Sequence, residues 1–255
     1  GTANLTSLFM AWVLIQYVPA DASTGSQLFW LFLAIVGAML IAIIIGAITG
    51  LIISHIGAHP ILVTLGSMTI ISGIGIYLTK GAALSGMPPV VRSIGSEVIM
   101  GIPVPMMIFI VTTVALALFL GKTRTGKTIY MCGSNINATW FSGIRTDRVL
   151  IAIYAISSML CVLAGLIMLA RFNSARMGYG DSYLLLTVLA IVLGGTDPFG
   201  GAGKVSHVFC ALLVLQVIAT GLSLLGLSLH FNLAVWGITL IAALAFKFIK
   251  QKWQL

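Results

Sequence analysis

The sequence is short of charge, and of acid above all: only 7% of its 255 residues are Asp, Glu, Lys or Arg, and just five are acids. A soluble domain carries about 25% charged residues, so a water-facing surface of ordinary extent cannot be built from this chain. The three cysteines, Cys132, Cys161 and Cys210, are odd in number and scattered, which indicates neither a disulfide framework nor a metal site. No His or acid pair stands at a spacing suited to activating a nucleophile, so an intramembrane enzyme finds no catalytic residue and no cofactor site here. The apolar runs hold almost no ionisable residue, which counts against a stand-alone channel or proton-coupled carrier, since those place titratable groups inside the membrane. The chain also opens without Met, without a charged n-region and without a cleavage site, so Gly1 reads neither as a natural start nor as a signal peptide.

What is there is hydrocarbon. Hydrophobic residues make up 60% of the chain, and its mean hydropathy is +1.15. This composition belongs to an all-α, polytopic transmembrane protein whose first partner is the lipid bilayer. A net charge of +8 would suggest nucleic acid in a soluble protein, but here the basic residues gather in loops and tail, where they set orientation, and no nucleic-acid partner is expected. Apolar runs at 5–18, 28–54, 61–79, 104–120, 149–170, 183–193, 205–225 and 229–249 give about eight spans in one membrane domain, 1–255. The sixth falls short of the roughly 20 residues a full crossing needs, which implies a half-span or broken helix. Gly46 to Gly50 forms a small-xxx-small pattern that suits a close helix contact, though glycine is also simply common in membrane spans. His55 and His59 read as interfacial residues. The segment 80–103, with Pro88 and Pro89, reads as an irregular surface outside the membrane.

The longest polar break is the loop 121–148, GKTRTGKTIYMCGSNINATWFSGIRTDR. Lys122, Arg124, Lys127, Arg145 and Arg148 face one acid, Asp147, so the positive-inside rule puts the loop in the cytoplasm. Its first eight residues match G-x-x-x-x-G-K-[ST], with Lys127 and Thr128 in the phosphate and magnesium places. That motif works only between a strand and a helix, and the preceding run is a span, so the match reads as a coincidence of Gly, Lys and Thr. Further on, Ser134 or Asn135 can cap a helix, Ile136, Trp140 and Ile144 recur at four-residue spacing, and Gly143 suits a left-handed helix end. The pattern predicts a helix of roughly eight residues, about 12 Å long, presenting Trp140 and Phe141. A helix so short needs something to dock on.

Residues 126–144, G-K-T-I-Y-M-C-G-S-N-I-N-A-T-W-F-S-G-I, resemble the cytoplasmic coupling-helix loop of binding-protein-dependent ABC permeases for ribose and related monosaccharides, a family that includes autoinducer-2 importers. Gly126, Tyr130, Gly133, Asn135, Ala138, Ser142, Gly143 and Ile144 fall on positions the family fills with those residues. Met131, Cys132 and Thr139 stand where smaller residues are frequent. Residues 194–203, GGTDPFGGAG, are similar to the family's paired-glycine motif. The resemblance implies a non-catalytic subunit, with hydrolysis on an ATP-binding partner that docks on Asn135, Asn137, Ala138, Trp140, Phe141, Ser142 and Gly143. It also implies a second permease subunit, as homo- or heterodimer, and a sugar-binding protein outside the cell, for which Lys80, Arg92 and Glu97 are candidate contacts, ordinary solvated charges being the alternative.

Non-helical backbone at membrane depth is tolerated only where it is buried or lines a wet cavity, so Gly194, Gly195, Asp197, Gly200 and Gly201 are assigned to the translocation path, a glycine-rich surface loop being the alternative. Asp197 has two expected uses, bonding sugar hydroxyls or capping a helix. The family carries earlier spans and a G-G-I-D-L-S-x-G segment, so the resemblance implies a chain lacking its N-terminal part. Alternation from the central loop puts the tail, with Lys247, Lys250, Lys252 and Trp253, in the cytoplasm of a bacterial inner membrane. Nine basic residues then lie inside (122, 124, 127, 145, 148, 204, 247, 250, 252) and four outside (80, 92, 171, 176). The substrate stays open among ribose, another pentose, a hexose, a cyclic signalling sugar and a nucleoside.

Overall fold

A computed structural model describes residues 1–19, 23–197, 200–226, 231, 234–242 and 245. The helices come in the order α1 (Thr2–Tyr17), α2 (Thr24–Ile56), α3 (Pro60–Thr79), α4 (Pro89–Ser96), α5 (Val104–Lys122), α6 (Arg124–Ser134), α7 (Ile136–Phe141), α8 (Thr146–Phe172), α9 (Ser182–Leu193) and α10 (Val205–Leu224). Five of them, α2, α3, α5, α8 and α10, are long and apolar enough to cross a membrane. The all-α polytopic class therefore holds. The count of eight is not reached among the described residues: α1 has 16 residues, short of about 20, and α9 has 12. Of the expected last span, only 231, 234–242 and 245 are described, and the basic tail lies outside the described residues.

The chain divides into two compact units, one made of Gly1–Val111 and Gly143–Asp181, the other of Thr112–Ser142 and Ser182 onward. In the first unit α8 lies along α2 and α1. Water-driven burial is weak between helices in lipid, so small residues that let backbones approach decide the packing. A Cβ on Gly46 would stand 2.7 Å from Ala155 Cα, and one on Gly50 2.7 Å from Ile151 Cα. The pattern at 46–50 is thus a close helix contact. Ala34, Ala38 and Ala42 extend the same buried stripe at four-residue spacing. The other face of α2 shows Phe29, Phe32, Leu40, Ile44 and Ile48, as a helix in hydrocarbon should.

The segment 80–103 is more ordered than its composition predicts. Two-residue strands β1 (Leu84–Ser85) and β4 (Ser174–Ala175) pair antiparallel, and β2 (Val98–Ile99) pairs with β3 (Ile102–Pro103) across Met100 and Gly101, both at positive φ. Two consecutive positive φ angles are what a type I′ hairpin turn requires. Asn173 Oδ1 accepts from the Met87 amide at 3.1 Å, and Arg171 Nη1 donates to the Gly95 carbonyl at 3.2 Å. Prolines and glycines that read as an irregular surface in fact start α4 and shape these turns.

In the second unit α9 packs on α10, with Leu189, Ala190, Leu215 and Trp236 as its buried cluster. A Cβ on Gly194 would lie 2.9 Å from Val208 Cα, so glycine is what lets the end of α9 meet the start of α10.

The close contact at Gly46 has a control in Gly66 of α3, where a Cβ would meet nothing within 4 Å. Gly46→Ala should cost about 1–3 kcal/mol through overpacking, whereas Gly66→Ala should be neutral or stabilising by up to about 1 kcal/mol. Unfolding midpoints of the two variants in detergent check this, and equal midpoints would refute the contact.

Candidate functional site

The polar break resolves into two helices joined by a single residue. Thr123 caps α6: its Oγ1 accepts from the Gly126 amide at 3.0 Å and donates to the Phe119 carbonyl at 2.6 Å. A Cβ on Gly126 would strike the Phe119 and Leu120 carbonyls, so the corner between α5 and α6 needs glycine there. The phosphate-loop match at 121–128 consequently lies on helix on both sides of Thr123, and the Thr128 hydroxyl donates to the Arg124 carbonyl at 2.9 Å. Helix α5, not a strand, leads directly into it, so the strand, loop and helix order that the motif needs is absent.

Of the two possible caps for the next helix, the structure uses Asn135, whose Oδ1 accepts from the Ala138 amide at 3.0 Å. Helix α7 is six residues long, shorter than the predicted eight. Ser142 ends it by donating through Oγ to the Ala138 carbonyl at 2.9 Å, and Gly143 follows at φ +81°. Asn137 and Ala138 are exposed. Trp140 and Phe141 project, 60% and 80% exposed, with their rings edge to face at 5.1 Å. Thr139 is the inward residue, 2% exposed. The four-residue stripe predicted from Ile136 and Trp140 is therefore an outward face. Cys132 on α6 is buried, and burial pushes its thiol up, so it stays protonated and inert.

The glycine segment closes on itself through backbone bonds. The Asp197 amide donates to the Ala202 carbonyl and the Gly200 amide to the Asp197 carbonyl, both at 3.0 Å. Gly195, Gly200, Gly201 and Gly203 all take positive φ. Pro198 and Phe199 lie outside the described residues. The N-cap position of α10 is held by Lys204.

What the glycines touch was not legible beforehand. A Cβ on Gly133 would stand 2.7 Å from the Gly201 nitrogen, one on Gly200 2.5 Å from the Gly133 carbonyl oxygen, and one on Gly201 2.8 Å from Ser134 Cα. Tyr130 on α6 donates from its hydroxyl to the Gly203 carbonyl at 2.9 Å. Gly200 and Gly201, two of the residues assigned from sequence to the translocation path, thus lie against the end of α6. Tyr130 and Gly133 went unremarked as contact residues, although a phenol and a glycine three apart in a polar helix were the available signal.

Residues 1–244 match the family described as branched-chain amino acid transport system / permease component. The chain belongs to that family. This permease is 35% identical over 196 residues to the ribose import permease protein of Bacillus subtilis, a match covering 76% of this chain and 61% of that protein. It is 32% identical over 227 residues to the ribose import permease protein of Haemophilus influenzae, covering 87% and 70%. It is 28% identical over 204 residues to the autoinducer 2 import system permease protein of Photorhabdus temperata, covering 78% and 61%. The permease thus spans about three fifths of the first and last of these relatives. No solved structure matches it.

The cap on α7 is testable in isolation. Asn135→Ala should destabilise the helix by about 1 kcal/mol, raising amide exchange at 138–142 about fivefold where exchange follows local opening. Asn135→Asp should leave it unchanged. Equal exchange in the alanine variant and the parent would show that the cap carries no weight.

Proposed function

We propose that this chain is the transmembrane subunit of an ATP-driven importer that forms the path for a ribose-like monosaccharide across the bacterial plasma membrane. The observation that carries the reading is α7, a six-residue polar-capped helix in a permease-family chain, holding two aromatic side chains out into solvent. A helix this short cannot hold itself together, and exposed paired aromatics are the side chains that dominate protein interfaces. An ATP-binding subunit docks there and performs the hydrolysis, while this chain contributes no catalytic group. Asn135 and Ser142 fix the helix ends, Asn137 and Ala138 lie on the exposed side, and Gly143 turns the chain toward α8.

The remaining partners are a second permease subunit and an extracytoplasmic sugar-binding protein, the latter meeting the side that carries α4. The loop 121–148 and the C-terminus face the cytoplasm, as the basic residues there favour. Ribose and autoinducer-2 are named for the relatives, which supports a sugar over the amino acid of the family description. A nucleoside permease is the second reading.

Trp140→Ala and Phe141→Ala should each weaken retention of the ATP-binding subunit by about 2 kcal/mol or more, roughly thirtyfold, in a full-length permease that still inserts. Lys127→Ala should have little effect. Retention unchanged in both aromatic variants would sink the docking account. Orientation is checked separately, in a background with the native cysteines replaced by alanine. Thr125→Cys should react with an impermeant thiol reagent only in opened cells and Ser85→Cys in intact ones, and the reverse pattern inverts the topology.

A further inference from the structure

The contact between α6 and the glycine segment assigns that segment a mechanical task. We propose that residues 194–197 and 200–203 form the seat on which the docking helices ride, joining α6 and α7 to the α9–α10 pair so that force applied at α7 reaches α10. The inference rests on the reading of α7 as the docking element, and it moves the paired glycines from the solute's path to the transmission.

Three observations converge on it. First, the contact is backbone on backbone. Gly133 at the end of α6 meets Gly200 and Gly201 so closely that a Cβ on any of the three would fall within 3.0 Å of main-chain atoms across the gap. Side chains yield by changing rotamer, whereas main chain in contact with main chain can only move together or separate. Second, the contact is latched. Tyr130, one turn before Gly133, donates to the Gly203 carbonyl at 2.9 Å, bridging 73 residues of sequence. Third, both ends of the seat are tied to helices. On one side Gly133 and Ser134 run directly into Asn135, the cap of α7. On the other, Gly194 abuts Val208 and the chain enters α10 at Lys204.

The described residues on the two sides of this segment are tied to each other. Its backbone closes between Asp197 and both Gly200 and Ala202, and a Cβ on Gly203 would lie 2.7 Å from the Thr196 side chain. A floppy glycine linker would absorb displacement, whereas a loop closed by its own hydrogen bonds and packed on both flanks passes it on. The positive φ of Gly200 and Gly201 explains the residue type, since any side chain there would be strained as well as crowded.

The test uses Tyr130→Phe, which removes one hydroxyl and keeps the ring, and so leaves folding and the exposed aromatics of α7 intact. In the full-length permease alone, loss of the latch should raise amide exchange about fivefold in both 124–134 and 200–203, the effect of one hydrogen bond on a shared opening. A rise in only one of these segments, or in neither, overturns the seat. In the assembled transporter, a fluorophore on Ser206→Cys at the start of α10 should respond when the ATP-binding subunit is trapped with ATP and vanadate. Tyr130→Phe should diminish that response while the subunit stays bound. A response absent from the parent, or unchanged in the variant, overturns the transmission role. Gly133→Ala, which wedges the contact instead of unlatching it, should repeat the result. Failure of the docking reading is distinguishable, because it shows as full subunit retention in Trp140→Ala and Phe141→Ala and leaves the exchange measurement untouched.

Discussion

Helices surrounded by lipid gain little by covering apolar side chains, so the distance to which their backbones can approach decides what they hold. Each unit of this permease is organised by that constraint. In the first, Gly46 and Gly50 bring α2 onto α8, and Gly165 admits α1, where a Cβ would stand 2.7 Å from the Ala3 carbonyl oxygen. In the second, Gly194 joins α9 to α10, and Gly133 meets the paired glycines. Many large side chains point outward, such as Phe32, Leu40 and Ile48 of α2, and those are interchangeable in kind. The small ones are not, because each marks a crossing that a methyl group would prop open.

Polar side chains are scarce, and those present work on the backbone more than on each other. Asn4 binds the Gly180 amide through Oδ1 at 2.8 Å while its Nδ2 donates to Asp181. Asn173 receives the Met87 amide, Tyr130 reaches the Gly203 carbonyl, and Thr123 and Asn135 start the two helices of the polar segment. Loop amides and carbonyls and the free groups at helix ends need partners, so each of these side chains both satisfies a stretch of backbone and fixes where it sits.

Composition made the fold class legible, since no other architecture accepts so much apolar sequence, and hydropathy found every long span that is described. Helix α7 was legible in kind because caps and left-handed glycines are local signals, as Asn135 and Gly143 illustrate. Its neighbour α6 was hidden: a helix containing two glycines and two threonines reads as loop, and only the Thr123 cap and the corner glycine Gly126 reveal it. The order in 80–103 was hidden for a different reason. Strands of two residues carry no periodicity, and their pairing depends on partners far along the chain. The same limit applied to the glycine segment, whose type predicts tight backbone contact but whose partner, the end of α6, is a tertiary fact. Sequence thus singled out these glycines without showing that Gly133 is their neighbour.

Helix α7 makes about one and a half turns, which leaves it room for a single inward side chain. Thr139 holds that place, with its hydroxyl turned back onto the Asn135 carbonyl at 2.8 Å. Its volume therefore sets the pitch at which Trp140 and Phe141 stand. A larger or smaller side chain at 139 thus shifts both rings together without altering either of them.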